Sequence, residues 1–206
     1  EVSKEVSSLS HGAYEVCLTR EETATLVNYA RSNYVTLNSL IQTAWGLLLS
    51  TYCQQEDVVF GVVHSGRAID LAGADEMIGV FINTLPCRLR LHAEETILTL
   101  LRAVHNQLGE LQQYTYVSLS ELQRQYPNSI FESLIAFENY PVSQDVRAGT
   151  GSFRITGVKA VEKAEYPLTL VVGPEERLTF KFDYKESHYS AAQIEQLSKH
   201  FAHILE

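Results

Sequence analysis

Ile78-Gly79-Val80-Phe81-Ile82-Asn83-Thr84-Leu85-Pro86-Cys87-Arg88 decides how this chain is read. With a period of two, Phe81, Leu85, Cys87, Leu89 and Leu91 form one apolar face, and Arg88 and Arg90 lie opposite. That pattern predicts a half-buried strand. Asn83 falls on the apolar side. A buried carboxamide costs about 1–3 kcal/mol if unpaired, so a neighbouring turn or a substrate must hydrogen-bond it. Pro86 cannot donate to a ladder, which places this strand at a sheet edge or a bulge.

Working outward, Ser65-Gly66-Arg67 precedes the stretch. Phe131-Glu132-Ser133-Leu134 follows it, then Phe137-Glu138-Asn139-Tyr140-Pro141 and Glu165-Tyr166-Pro167-Leu168-Thr169-Leu170. Together these resemble condensation domains of nonribosomal peptide synthetases: an S-G-R segment, the I/V-G-x-F-V/I-N-T signature, F-D/E-S-L…F-E-N-Y-P and Y-P-L-T-L. The blocks occur in family order from about Asn38 onward. Gln112-Gln113-Tyr114-Thr115-Tyr116-Val117-Ser118-Leu119-Ser120-Glu121 occupies the place of the family's H-Q-D/E-Y-P-F-E, without its His and Pro. Asn128-Ser129-Ile130-Phe131 is a reduced R-x-x-S-R-N-P-L-F. These departures leave the stereochemical subtype open.

The family's catalytic H-H-x-x-x-D-G is missing. The seven histidines are His11, His64, His92, His105, His188, His200 and His203, and no two adjoin. The chain also begins at Glu1 without Met. The expectation is therefore the C-terminal half of a condensation domain, residues 13–206, behind a polar linker, residues 1–12. By the resemblance, the fold is an α/β two-layer sandwich with a mixed sheet, like a chloramphenicol acetyltransferase subdomain. The resemblance further implies a tunnel against the N-terminal half. Donor and acceptor peptidyl carrier proteins bring phosphopantetheine arms into it, and an adenylation domain is adjacent. An amine attacks a thioester there to form an amide, in a cytoplasmic multienzyme for antibiotic or secondary-metabolite biosynthesis. No cofactor is bound directly, and the half alone is expected to be inert.

Composition agrees with one globular domain. The 206 residues are 45% hydrophobic and 20% charged, enough to bury about 70% of the unfolded surface. A net charge of −9 argues against nucleic-acid binding, because no basic stripe neutralises phosphates. Cys17, Cys53 and Cys87 are widely spaced in apolar segments, as buried free thiols would be. No C-x-x-C or Cys/His cluster predicts zinc. The most apolar run, Leu37 to Cys53, is broken by Gln42, Thr43, Ser50 and Thr51, which suits a core helix rather than a membrane span.

The remaining elements follow from caps and periodicity. Tyr14–Leu18 alternates as a strand. Thr19 and Glu22 form a capping box for a helix to about Ser32, and Thr36 caps a helix over 37–53. Asp57–Val63 reads as a strand buried on both faces. A helix spans about 94–112, and Ser118 with Glu121 forms a second capping box. Strands are predicted over 132–139 and 177–184, with Gly173-Pro174-Glu175-Glu176 as the turn before the latter. In that last strand, Leu178, Phe180, Phe182 and Tyr184 alternate with a wet face. Residues 140–152 read as a loop, and Gly157 as a bulge. Ser190 and Gln193 cap a terminal helix.

No catalytic or metal-ligating residue is assigned. The candidates for lining the tunnel are Ser65, Gly66, Arg67, Asn83 and Thr84. An arginine after a loop glycine ordinarily pairs with a carboxylate or caps carbonyls; its functional role would be contact with the pantetheine arm or the other half. Asn83 ties down a loop or addresses the substrate arm. His64 and Ser65 do not make a nucleophile, since strand neighbours point apart and no G-x-S-x-G elbow surrounds them. His200 and His203 have ligand spacing on a helix, but His203 falls opposite the apolar stripe and His200 beside it, as solvated residues would. Two competing functions stand beside amide formation. One is a non-catalytic condensation-like module docking a partner enzyme or carrier protein. The other is a coenzyme A-dependent acyltransferase, which the absence of a D-F-G-W-G-like segment disfavours.

Overall fold

A computed structural model describes residues 10–67, 73, 76–126, 128–138 and 165–206. Among the described residues six strands form one mixed sheet: β1 (His11–Cys17), β2 (Asp57–His64), β3 (Asn83–Arg90), β4 (Ser133–Phe137), β5 (Leu168–Pro174) and β6 (Leu178–Lys185). Their spatial order is β1-β6-β5-β4-β2-β3. β4 runs parallel to β2 and β5, and the other neighbours are antiparallel. The α-helices among the described residues are α1 (Arg20–Ser32), α2 (Leu37–Cys53), α3 (Ile97–Leu111), α4 (Leu119–Gln125) and α5 (Ala191–Leu205). This is the expected α/β layering with a mixed sheet. β1 opens at His11, so residues 11 and 12 are strand.

One sheet face carries the core. Across it, register aligns Val16 with Phe180, Phe180 with Val172, Leu170 with Ile135, and Val62 with Leu85. The predicted core helix α2 packs there, with Ile41, Trp45 and Leu48 essentially inaccessible. The Trp45 ring meets Phe182 at 6.4 Å and Phe201 of α5 at 6.0 Å. Thr19 and Ser190 make complete capping boxes, and Thr36 caps α2 through the Ser39 amide.

Several expectations are corrected. β3 begins only at Asn83, because its partner β2 ends at His64, the residue opposite. Ile78, Val80 and Ile82 are instead exposed, and Phe81 is half-buried outside the strand. β3 is the outermost strand, where Pro86 is tolerated. Ser118 precedes α4 without a side-chain cap, since its hydroxyl is shared with Ser120 at 2.7 Å. Gly173 and Pro174 belong to β5, where they pair with Thr179 and Leu178, leaving Glu175–Arg177 as the connection. The second face of β6 is not simply wet. Asp183 is 8% exposed, sits across from Thr169 and Ala13, and pairs with Lys181 at 2.9 Å.

Cys17 and Cys53 are exposed, the first on the outward parity of β1 and the second at the C-terminus of α2; only Cys87 is buried. The predicted loop over 140–152 and bulge at Gly157 lie outside the described residues, as do Asn139, Tyr140 and Pro141.

Candidate functional site

The five candidate residues gather where β2 ends and β3 begins. His64 and Asn83 are opposite one another in register, as are Val63 and Thr84. Ser65, just past β2, is exposed, Gly66 is buried and Arg67 is half-buried. Gly66 has φ of 66°, a left-handed conformation suited to glycine. A Cβ there would also overlap the carbonyl oxygen of Phe81, so the two chain segments touch backbone to backbone.

Arg67 reinforces that contact. Its Nη1 donates to the carbonyl of Met77 at 3.1 Å, and its guanidinium lies 4.6 Å from the centroid of the Phe81 ring. Asn83 makes a second bridge. Nδ2 donates to the carbonyls of Thr115, at 2.8 Å, and Val117, at 2.6 Å, while Oδ1 accepts from the amide of Thr84 at 2.9 Å. Both amide hydrogens of the carboxamide are thereby engaged. This side chain joins the signature strand to the Gln112–Glu121 block, distant in sequence.

The other motif blocks meet on β4 and β5. Phe131 is buried against Gly61, where any side chain would collide with its ring, and it stacks on Tyr166 at 5.1 Å. Ser133–Phe137 then pairs in parallel with Leu168–Val172.

Sequence reasoning missed three features. The first is the turn at Tyr114–Val117, closed by the Val117 amide on the Tyr114 carbonyl at 2.9 Å and bearing Tyr114 and Tyr116 at 53% and 79% exposure. No periodicity in Gln112–Glu121 announces it. The second is the exposure of Ile78, Val80 and Ile82, whose alternation imitates a strand. The third is His64. Its Nε2 is buried without a hydrogen-bond partner among the described residues, and burial pushes its pKa below the ordinary imidazole value.

Elsewhere, His200 bonds Tyr52 at 2.9 Å and Gln196 at 2.6 Å, whereas His203 faces Glu206 at 3.1 Å. Among the described residues no group of three or more His, Cys, Asp or Glu is placed to hold a metal ion, and no helix is long and apolar enough to cross a membrane. A cavity of about 310 Å³ lies in the helix layer, lined by Tyr29, Leu40, Ala44 and Leu101 among others, and not by the five candidates.

The family model described as Condensation domain matches residues 1–206. This chain belongs to the condensation-domain family. Among the relatives of this condensation-family chain is tyrocidine synthase 2 of Brevibacillus parabrevis. The two are 38% identical over 197 residues, covering 93% of this chain and 6% of that protein. Bacitracin synthase 3 of Bacillus licheniformis is 34% identical over 191 residues, covering 91% and 3%. The chain thus spans only a small part of these synthases.

Solved structures share its fold. A four-domain nonribosomal peptide synthetase bound to AMP and glycine superposes with a TM-score of 0.83 at 16% identity, over 95% of this chain and 16% of that one. The first condensation domain of the calcium-dependent antibiotic synthetase, in complex with a substrate analogue, gives 0.76 at 20% identity, over 94% and 44%. The chloramphenicol acetyltransferase-like architecture expected from the motifs is therefore the observed one.

Proposed function

We propose that this chain is the C-terminal half of a peptide-bond-forming condensation domain in a nonribosomal peptide synthetase. It supplies one wall of the tunnel where a carrier-bound amine attacks a carrier-bound acyl thioester. The observation that carries this is a family match over all 206 residues together with superposition on only 44% of a single condensation domain. The similarity to peptide synthetases favours this over a docking module.

Ser65, Gly66, Arg67, Asn83 and Thr84 form the wall. Their local geometry supports the assignment: two strand ends and two loops are fastened together by Gly66, Arg67 and Asn83, leaving Ser65 exposed. A rigid wall of this kind orients reactants, which is how a site without its own base contributes to rate. The acid–base group comes from the N-terminal half. The phosphopantetheine arm is part of the substrate, borne by donor and acceptor carrier proteins, so the half binds no cofactor of its own. An adenylation domain is adjacent, and the setting is the cytoplasm.

The test is a peptide-bond assay with two loaded carrier proteins. The complete domain forms the dipeptidyl thioester and this half alone does not; activity of the half by itself refutes the assignment. In the complete domain, Arg67→Ala lowers condensation while the protein stays folded. Full activity, or simple melting, counts against Arg67 as a wall residue.

A further inference from the structure

We infer that Asn83 is a positioning residue for amide formation, acting through the Tyr114–Val117 turn rather than by touching substrate. This rests on the tunnel-wall assignment above. The two carbonyls it binds belong to Thr115 and Val117, the neighbours of Tyr116, so one carboxamide holds the peptide plane before Tyr116 and the one after Val117. The turn is further held by the Val117 amide on Tyr114 and by the Thr115 hydroxyl on the Gln112 carbonyl at 3.1 Å. Four hydrogen bonds thus hold the turn, yet Tyr116 is 79% exposed and Tyr114 is 53% exposed.

An aromatic ring on a fixed base, with its faces open, is built to contact something. Only two side-chain torsions are left to freeze, so a contact made by such a ring loses little entropy. Asn83 has no amide hydrogen left for a ligand, because both are on the turn. The same residue opens β3 opposite His64, beside Ser65. The turn is therefore anchored to the candidate wall itself. Asn83 sets where the Tyr116 ring stands relative to the wall, and the ring contacts the carrier-borne substrate.

The experiment is a double-mutant cycle in the complete domain with both loaded carrier proteins, using Asn83→Asp, Tyr116→Ala and the pair. Aspartate keeps the acceptor for the Thr84 amide but turns a carboxylate oxygen toward two carbonyl oxygens. Each single variant lowers kcat/KM about tenfold, and the loss in Tyr116→Ala appears in KM for the carrier-borne substrate. The double variant falls within about twofold of the worse single variant, since both remove one contact. Additive losses overturn the proposal, as does wild-type kcat/KM in Tyr116→Ala, a change that touches none of the hydrogen bonds of the clamp.

Hydrogen exchange separates this proposal from the assignment it rests on. Exchange of the 114–118 amides rises about tenfold in Asn83→Asp, and unchanged exchange overturns the clamp. A wild-type complete domain that forms no amide instead refutes the tunnel-wall function, with the exchange result still deciding whether Asn83 holds the turn.

Discussion

Gly66→Ala tests the contact that joins the loop after β2 to the segment before β3, and Gly73→Ala supplies its control. Both glycines have positive φ, 66° and 78°, so alanine at either meets the same left-handed penalty of about 1–2 kcal/mol. They differ in space. Among the described residues a Cβ at Gly73 has nothing within 4 Å, whereas one at Gly66 overlaps the Phe81 carbonyl oxygen and lies 2.8 Å from its carbon. A backbone carbonyl cannot rotate aside as a flexible side chain would, so the 77–81 segment must shift. That shift stretches the Arg67 bond to Met77 and lifts Phe81 from the guanidinium. Overpacking with one lost hydrogen bond adds about 1–3 kcal/mol. Gly66→Ala should therefore cost about 2–5 kcal/mol against 1–2 for Gly73→Ala. At about 2–4 °C per kcal/mol, thermal denaturation followed by circular dichroism resolves the two. Equal melting temperatures for the two variants would refute the backbone contact.

The remaining predictions concern burial. His64 has its pKa lowered by burial, so below about pH 6.5 the unfolded chain takes up this proton first. Its contribution is full above that value and declines as pH falls toward the lower folded-state pKa; His64→Gln should flatten the acid limb of stability, and an unaltered slope sinks the idea. A thiol reagent should label exposed Cys17 and Cys53 promptly and Cys87 only on unfolding, because burial pushes the Cys87 thiol up to about 12. Rapid labelling of all three in the native protein would contradict the packing. Phe201→Ala removes the ring that meets Trp45, Phe180 and Phe182 at 6.0, 5.2 and 6.0 Å, and should cost about 3–5 kcal/mol in denaturant titration. A loss below about 1 kcal/mol would place the core elsewhere.

What the sequence made legible, and what it concealed, divides along physical lines. Helix ends and core faces follow local rules: α1 and α2 end where Ser32 and Cys53 were expected, because caps and 3.6-residue periodicity are set within a turn or two of chain. Pro86 marked an edge strand for the same local reason. Strand limits depend on a partner, and no feature of Ile78–Ile82 says that β2 stops at His64; alternation there describes a segment able to pair, to which β2 offers no partner beyond that residue. Local patterning also fails for Cys17 and Asp183, whose burial depends on what covers each sheet face. The candidate residues stand in motifs that the sequence shows, whereas their hydrogen-bond partners are set by the fold. Asn83 stood out as a polar group on an apolar face, which requires partners without naming them. That those partners are the carbonyls on either side of Tyr116, some thirty residues downstream, is a fact of tertiary structure. It is also why a side chain that could have tied down a loop or addressed the substrate arm has its hydrogens already taken by the loop.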